Sequence, residues 1–199
     1  MKTISGLFDD RNDAMAAIGD LLDRGVPRTD ISIIANNAGD WYAENSENEA
    51  GAEAGASVGA IAGGAGGLLA GLGLFTIPGI GPVVGAGWLM TTAAGAATGA
   101  ILGGAAGGFV AWITGHGMSE SDAHVFAEGL RRGGTLVTVQ VADDLVISAE
   151  AIFLKHSVDV AARRDVFAEE GWARFDDHAP PYLNTEQDGP DSAQPISRP

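Results

Sequence analysis

The order of apolar and polar positions predicts a β-α-β unit at the start of the chain. Residues 4–8 contain three apolar side chains and suit a short strand, and residues 31–34 suit a second one. Between them, apolar residues recur at helical spacing: Met15, Ile18, Leu21 and Leu22. Asp9 or Asp10 can cap this helix, and Gly25 followed by Pro27 ends it.

A similar plan returns after residue 118. A helix beginning at Ser119 stops at Gly133–Gly134, and residues 135–141 alternate as a strand does. Asp143–Asp144 precede another helix, and Val158–Val160 are predicted to begin a short last strand. With the middle of the chain and the helix from Ser119 set aside, the order is β-α-β followed by β-α-β. We therefore predict an α+β fold of the ferredoxin-like kind, a plan that specifies no function.

The middle of the chain is uncharged. No Asp, Glu, Lys or Arg occurs between Glu53 and Glu120, and the stretch is broken once, by two prolines and two glycines within residues 76–82. This pattern predicts an inserted apolar hairpin of two helices, at about residues 50–74 and 83–113. At ~1.5 Å per residue each helix could cross a hydrocarbon core of ~30 Å.

Small residues recur at every fourth position in both predicted helices. The first series is Gly51, Gly55, Gly59, Gly63, Gly67 and Gly71; the second is Gly87, Thr91, Gly95, Gly99, Gly103 and Gly107. Small residues at this spacing form a groove in which two helix backbones approach closely. We predict that these glycines form a helix-packing interface and that the protein is a homo-oligomer.

Two settings for such a hairpin remain open. Trp88 and Trp112 would lie about 36 Å apart on one helix at ~1.5 Å per residue, like anchors at the two interfaces of a bilayer. On the other hand, Ala and Gly are only weakly apolar, and both flanks of the hairpin are acidic. The first prediction is a membrane-associated protein, and the alternative is a soluble assembly whose hairpins share an apolar core.

Composition restricts the partners and the compartment. The net charge of −15 repels phosphate backbones and anionic lipid, so nucleic acid is not an expected partner. The absence of cysteine excludes disulfides and thiol catalysis. The first residues read as a strand and not as a signal peptide, so we expect a cytoplasmic domain on the inner membrane or, alternatively, a cytoplasmic protein.

Catalytic, cofactor and metal sites are not predicted. The glycines of residues 63–67 are not followed by Lys-Ser or Lys-Thr, as a phosphate loop requires. The acidic pairs Asp9–Asp10 and Asp143–Asp144 each precede a helix, where capping is their ordinary role. Asp176, Asp177 and His178 lie at the edge of the predicted tail. The four histidines are His116, His124, His156 and His178, and no two of them are spaced four residues apart, as a metal site on a helix would need. We therefore expect no enzyme, no cofactor, no metal and no identifiable small-molecule substrate.

Several blocks resemble bacterial general stress (heat-induced stress) proteins. They are Gly6–Leu7–Phe8–Asp9–Asp10, the run from Gly25 to Ile34, the run from Arg132 to Val139, Val158–Asp159–Val160 and Gly171–Trp172. The resemblance covers the outer parts of the chain and implies a stress-linked, non-catalytic role. It implies no functional residues.

The predicted organisation has four parts. Residues 1–37 and 118–175 form the two halves of one α/β domain, and residues 38–117 form the inserted glycine-zipper hairpin. Residues 176–199, rich in Pro, Asp, Gln and Ser, are predicted to be a disordered tail. The expected function is stress-related association with a membrane and self-association through the hairpin.

Overall fold

The computed structural model describes residues 1–38, 73–95 and 108–180, which form a five-stranded antiparallel sheet with helices on both faces. The strands are β1 Lys2–Phe8, β2 Ile31–Asn36, β3 Gly73–Ile77, β4 Gly81–Gly87 and β5 Thr135–Val141, in the sheet order β1-β5-β2-β4-β3. The helices are α1 Arg11–Asp23, α2 Trp88–Gly95, α3 Gly108–Gly115, α4 Glu120–Arg131, α5 Val146–His156 and α6 Val160–Glu169. The predicted α+β class is confirmed.

The N-terminal unit forms as its local signals predict. Asp10 caps α1 by accepting a hydrogen bond from the Asn12 backbone N–H at 2.7 Å, and Gly25 follows the helix with a φ of 85°. Strand β5 lies between β1 and β2 and is antiparallel to both. The β-α-β unit is therefore split by a strand from the second half of the chain.

The second half departs from prediction at its end. Val158 and Val160 do not form a strand: Val158 N–H donates one backbone hydrogen bond to Leu7 at 2.8 Å, and α6 begins at Val160. Asp159 accepts from the backbone N–H groups of the first turn of α6, at 2.9 and 3.1 Å. The helix cap overrides the β-branched pair because the carboxylate satisfies two donors that a helix start leaves open.

The predicted long helix from residue 83 is also wrong where the structure describes it. Strands β3 and β4 form a β-hairpin around the predicted turn, and helix begins only at Trp88. Glycine, proline and β-branched valine make residues 81–87 a poor helix, and Pro82 O accepts from Asn37 N–H at 2.9 Å beside β2. Residues 50–72 and 96–107 of the predicted helices lie outside the described residues.

The sheet separates two apolar cores. On one face, α1 and α5 pack over side chains that include Phe8, Ile33 and Val139. On the other face, α2, α3 and α4 pack with Ile34, Val83 and Leu136. The described parts of the uncharged stretch therefore belong to the core of the domain and are not separate from it.

The folded part extends beyond the predicted start of the tail. Phe175 is buried in the core of α2, α3 and α4, and the Arg131 guanidinium donates to the carbonyl of Pro180 at 3.0 and 3.2 Å. One predicted cap is wrong. The residue at the cap position of α5 is Leu145, which makes no side-chain cap bond, and not Asp143 or Asp144.

Candidate functional site

Most of the predicted helix-packing glycines lie outside the described residues. These are Gly51, Gly55, Gly59, Gly63, Gly67, Gly71, Gly99, Gly103 and Gly107. The structure describes Gly87 at the end of β4, Thr91 as an exposed residue of α2, and Gly95 at the end of that helix. The described part of the second series therefore crosses a strand and a helix, and does not follow one helix face.

Gly87 has a role inside the domain. Its φ is +94°, and a Cβ atom on it would lie 2.1 Å from the carbonyl oxygen of Ile31 in β2. Gly85, two residues earlier, is less crowded: an added Cβ would lie 2.9 Å from Met90 Cγ and 3.2 Å from the carbonyl oxygen of Ile33 in β2. These glycines are explained by the close approach of β4 to β2 and to the start of α2.

The two predicted membrane anchors meet at one histidine. Trp88 begins α2 and Trp112 lies in α3, and the ring of each is 5.7 Å from the ring of His116. The premise of two tryptophans at opposite ends of one long helix is wrong. Trp112 is only 6% exposed and belongs to the core, and in the described structure the indole N–H groups of both residues are buried without a hydrogen-bond partner.

His116 ties the beginning of α2 to the end of α3. Its Nδ1 lies 2.7 Å from the carbonyl oxygen of Trp112, and its Nε2 lies 3.3 Å from Thr92 Oγ. The Thr92 hydroxyl donates to the carbonyl of Leu89 at 2.7 Å, so toward the ring it offers lone pairs. These contacts hold the imidazole of His116 beside both indole rings.

A cleft of about 430 Å³ lies between α3, α4 and the segment after α6. Phe109, Phe175 and neighbouring apolar groups line one side, and Glu120, His124 and Arg174 contribute polar groups. Burial lowers the pKa of His124, and the positive charge of Arg174 lowers it further, while Glu120 acts in the opposite direction. His124 Nδ1 is buried and has no hydrogen-bond partner in the part of the chain that the structure describes.

The sequence did not predict this cleft because its polar groups are far apart along the chain. Glu120 and His124 are one helical turn apart on α4, whereas Arg174 comes after α6. A Glu and a His at i, i+4 was the one signal available, and it is common on solvated helices. The cleft can accept a hydrogen-bonding ligand, because its lining also includes Thr114 and Asp177.

Asp176, Asp177 and His178, at the edge of the predicted tail, lie close together. One ligand atom from each lies within 4.8 Å of the others, and His178 Nδ1 is 2.7 Å from an Asp177 carboxylate oxygen. Asp176 also accepts from the backbone N–H of His178 at 2.9 Å, so a local turn brings the group together. The side chain of His178 is 90% exposed, and its Nδ1 also lies 3.6 Å from an Asp176 carboxylate oxygen.

None of the helices within residues 1–38, 73–95 and 108–180 is both long and apolar enough to span a bilayer. Comparisons of the chain with family models, with curated proteins and with solved structures gave no match.

Proposed function

We propose that this is a non-enzymatic, stress-related protein that self-associates through its Gly-rich segments, defined here as residues 39–72 and 96–107. The observation that carries the proposal is where these segments attach. The first joins β2 to β3, and the second joins α2 to α3, all elements of the same domain. From residue 54 onward both segments are uncharged, and they hold nine of the predicted packing glycines: Gly51, Gly55, Gly59, Gly63, Gly67, Gly71, Gly99, Gly103 and Gly107.

The spacing of these glycines favours contact with more than one partner. Four residues of an α-helix turn through ~400°, so a stripe of every fourth residue drifts by ~40° at each step. If residues 51–71 are helical, the stripe of the first series would pass around about half of that helix. Several packed copies cover such a stripe better than a single straight neighbour does.

A bilayer is the second candidate partner. It is favoured by the absence of charge from residue 54 to residue 119. It is disfavoured by Trp88 and Trp112, whose rings pack beside His116 in the domain, and by the net charge of −15, which repels anionic lipid. Self-association is therefore the primary proposal.

Size measurements on full-length variants test the packing role of the glycines. Gly59→Leu, Gly63→Leu and Gly99→Leu should each reduce assembly size by light scattering, because overpacking a close contact costs about 1–3 kcal/mol and the cost repeats in every copy. Leu68→Ile and Leu102→Ile keep side-chain volume and serve as matched controls. Since leucine adds apolar surface, a loss of assembly cannot come from lost hydrophobicity. Parent-sized assemblies from all three glycine variants would overturn the proposal.

Fractionation without detergent separates the two partners. A discrete particle in the soluble fraction supports assembly through a shared apolar core. Sedimentation with membranes that resists carbonate extraction supports the bilayer. Recovery as a soluble monomer at all concentrations would contradict both.

We also propose that the domain is a ferredoxin-like variant and that its role is stress-linked. Support for the fold comes from β5, which lies between β1 and β2 as the middle strand of a split β-α-β unit does. Support for the role is the resemblance of the outer blocks to general stress proteins. The protein level in its native cell should rise after heat stress, and an unchanged level under every stress tested would contradict the role.

A further inference from the structure

The cleft between α3, α4 and the C-terminal segment, defined here as residues 172–180, contains two unpaired charges of opposite sign. Within the part of the chain that the structure describes, neither the Glu120 carboxylate nor the Arg174 guanidinium forms an ion pair or a hydrogen bond. Asp177 also lines the cleft, but its carboxylate already lies 2.7 Å from His178 Nδ1. The charges left for a ligand are therefore one carboxylate and one guanidinium.

Both of these charges lie near the ring of His124. Burial is the main cause of the lowered pKa of His124, the positive charge of Arg174 lowers it further, and Glu120 acts in the opposite direction. Each effect requires its charge to be near the ring, because Coulomb interactions weaken with distance. The cleft thus holds two opposite charges that are close to one side chain but not paired with each other. A small zwitterion has the complementary arrangement.

Thr114 adds a hydrogen-bond acceptor to the lining. Its hydroxyl donates to the carbonyl of Val110 at 2.7 Å, so toward a ligand it offers lone pairs. Glu120 and Thr114 can therefore accept from an ammonium group. Arg174 can donate to a carboxylate through two parallel hydrogen bonds.

The rest of the lining is apolar: Phe109, Val110, Ala111 and Phe175. The two phenylalanines are fixed in the core, whereas Val110 is partly buried and Ala111 is exposed. The volume of about 430 Å³ lies near the lower end of the ~300–1,000 Å³ that small-molecule sites occupy. The cleft therefore suits a small ligand with one apolar group.

The wall formed by the C-terminal segment is held in place by contacts outside the cleft. Gly79, in the β3–β4 turn, lies so close that an added Cβ would be 2.7 Å from the carbonyl oxygen of Asp176. At the end of the segment, Pro180 accepts from the Arg131 guanidinium at 3.0 and 3.2 Å. Phe175, between these contacts, is buried in the core. A wall anchored in this way lowers the cost of ordering the site when a ligand binds.

We propose that this cleft binds a small zwitterion with an apolar body, of the class of α-amino acids with an apolar side chain. The carboxylate of the ligand lies on Arg174, its ammonium group on Glu120 and Thr114, and its side chain against the apolar wall. A ligand with only one charge would leave either Glu120 or Arg174 without a partner. The site consists of described residues alone and does not depend on self-association through the Gly-rich segments.

Related probes test the two charges by saturation-transfer NMR on the full-length chain. They are L-phenylalanine, N-acetyl-L-phenylalanine, which keeps only the carboxylate, and L-phenylalanine amide, which keeps only the ammonium group. L-Phenylalanine should bind with a Kd on the order of 1 mM, as suits a ligand of its size. Each single-charge probe should bind about five- to tenfold more weakly. A single-charge probe that binds as tightly as L-phenylalanine would overturn the proposed ligand class, and no saturable binding of L-phenylalanine would overturn the site.

Charge variants assign each probe group to its residue. Arg174→Gln should weaken the binding of L-phenylalanine about five- to tenfold without weakening that of the amide, which has no carboxylate. Glu120→Gln should likewise weaken L-phenylalanine without weakening the N-acetyl probe. The matched control is Arg24→Gln, an exposed arginine after α1, on the opposite face of the sheet. Binding of L-phenylalanine that is unchanged by both cleft variants would overturn the proposal.

A bulky side chain in the cleft tests the position of the ligand without changing any charge. Ala111→Trp should occupy the cleft and abolish the binding of L-phenylalanine, whereas Ala168→Trp, at an exposed alanine of α6, should preserve it. Thermal melts by circular dichroism verify that both variants fold. Equal affinities of the two variants would contradict binding in this cleft.

Discussion

Gly87 in β4 lies so close to Ile31 in β2 that an added Cβ atom would be 2.1 Å from the Ile31 carbonyl oxygen. Gly87→Ala should lower the free energy of unfolding by about 2–4 kcal/mol, because it combines a left-handed backbone conformation with a backbone collision. Chemical denaturation monitored by circular dichroism measures this loss.

Gly25 is the control for that substitution. Its φ is also positive, at 85°, but no atom lies within 4 Å of an added Cβ. Gly25→Ala should therefore cost only the backbone strain of about 1–2 kcal/mol. Equal losses for the two variants would contradict the close approach of β4 to β2.

The β3–β4 hairpin and the helices α2 and α3 should be necessary for the domain to fold. Joining Asn37 directly to Met118 removes β4, which pairs with β2, together with core residues such as Leu89 and Ile113. Such a chain should lose its cooperative thermal melt.

Replacing residues 39–72 alone should be tolerated. A flexible Gly/Ser linker of about 12 residues can connect β2 to β3, since both strands run in the same direction and need a crossover of that length. This variant should retain a cooperative melt and a mixed α/β circular dichroism spectrum. A cooperative melt for the Asn37–Met118 chain would show that β4 is dispensable.

Glu128 should contribute to stability far more than its exposed neighbour in the same ion-pair network. Its side chain is 1% exposed and accepts from Arg131 at 3.3 Å and from Arg132 at 2.7 Å. Glu128→Ala leaves two arginines without this carboxylate and should cost about 3 kcal/mol. Glu170 also pairs with Arg132 but is 50% exposed, so Glu170→Ala should cost ~0–1 kcal/mol. Denaturant titrations that give equal losses would refute the difference.

His124 should make the domain less stable as the pH falls below neutral. Burial lowers its pKa in the folded protein, so the folded state favours the neutral ring. This contribution is fully present above the unfolded value of ~6.5 and is lost as the pH falls toward the lower folded pKa. His124→Gln should therefore flatten the decrease in melting temperature between about pH 7.5 and pH 5. Identical slopes in parent and variant would contradict the assignment.

Sequence alone determined the elements whose signals are local. A cap of α1 at Asp9 or Asp10, a helix beginning at Ser119, the turn at Gly25 and a strand over residues 135–141 were predicted. The structure places the cap of α1 at Asp10, makes Ser119 the cap of α4, and confirms the turn and the strand. Each depends on residues a few positions apart, because caps and turns satisfy backbone groups of their own segment.

Tertiary structure decided the elements whose local signals were ambiguous. Residues 81–87 satisfy an apolar helix pattern as well as a strand pattern, and pairing with β2 selects the strand. The meeting of Trp88 and Trp112 at His116 likewise depends on how α2 and α3 pack, which no spacing along the chain expresses. The physical reason is that an apolar segment free of charge gains from burial in either conformation. The choice between them then depends on hydrogen bonds and contacts with distant residues, which exist only in the folded domain.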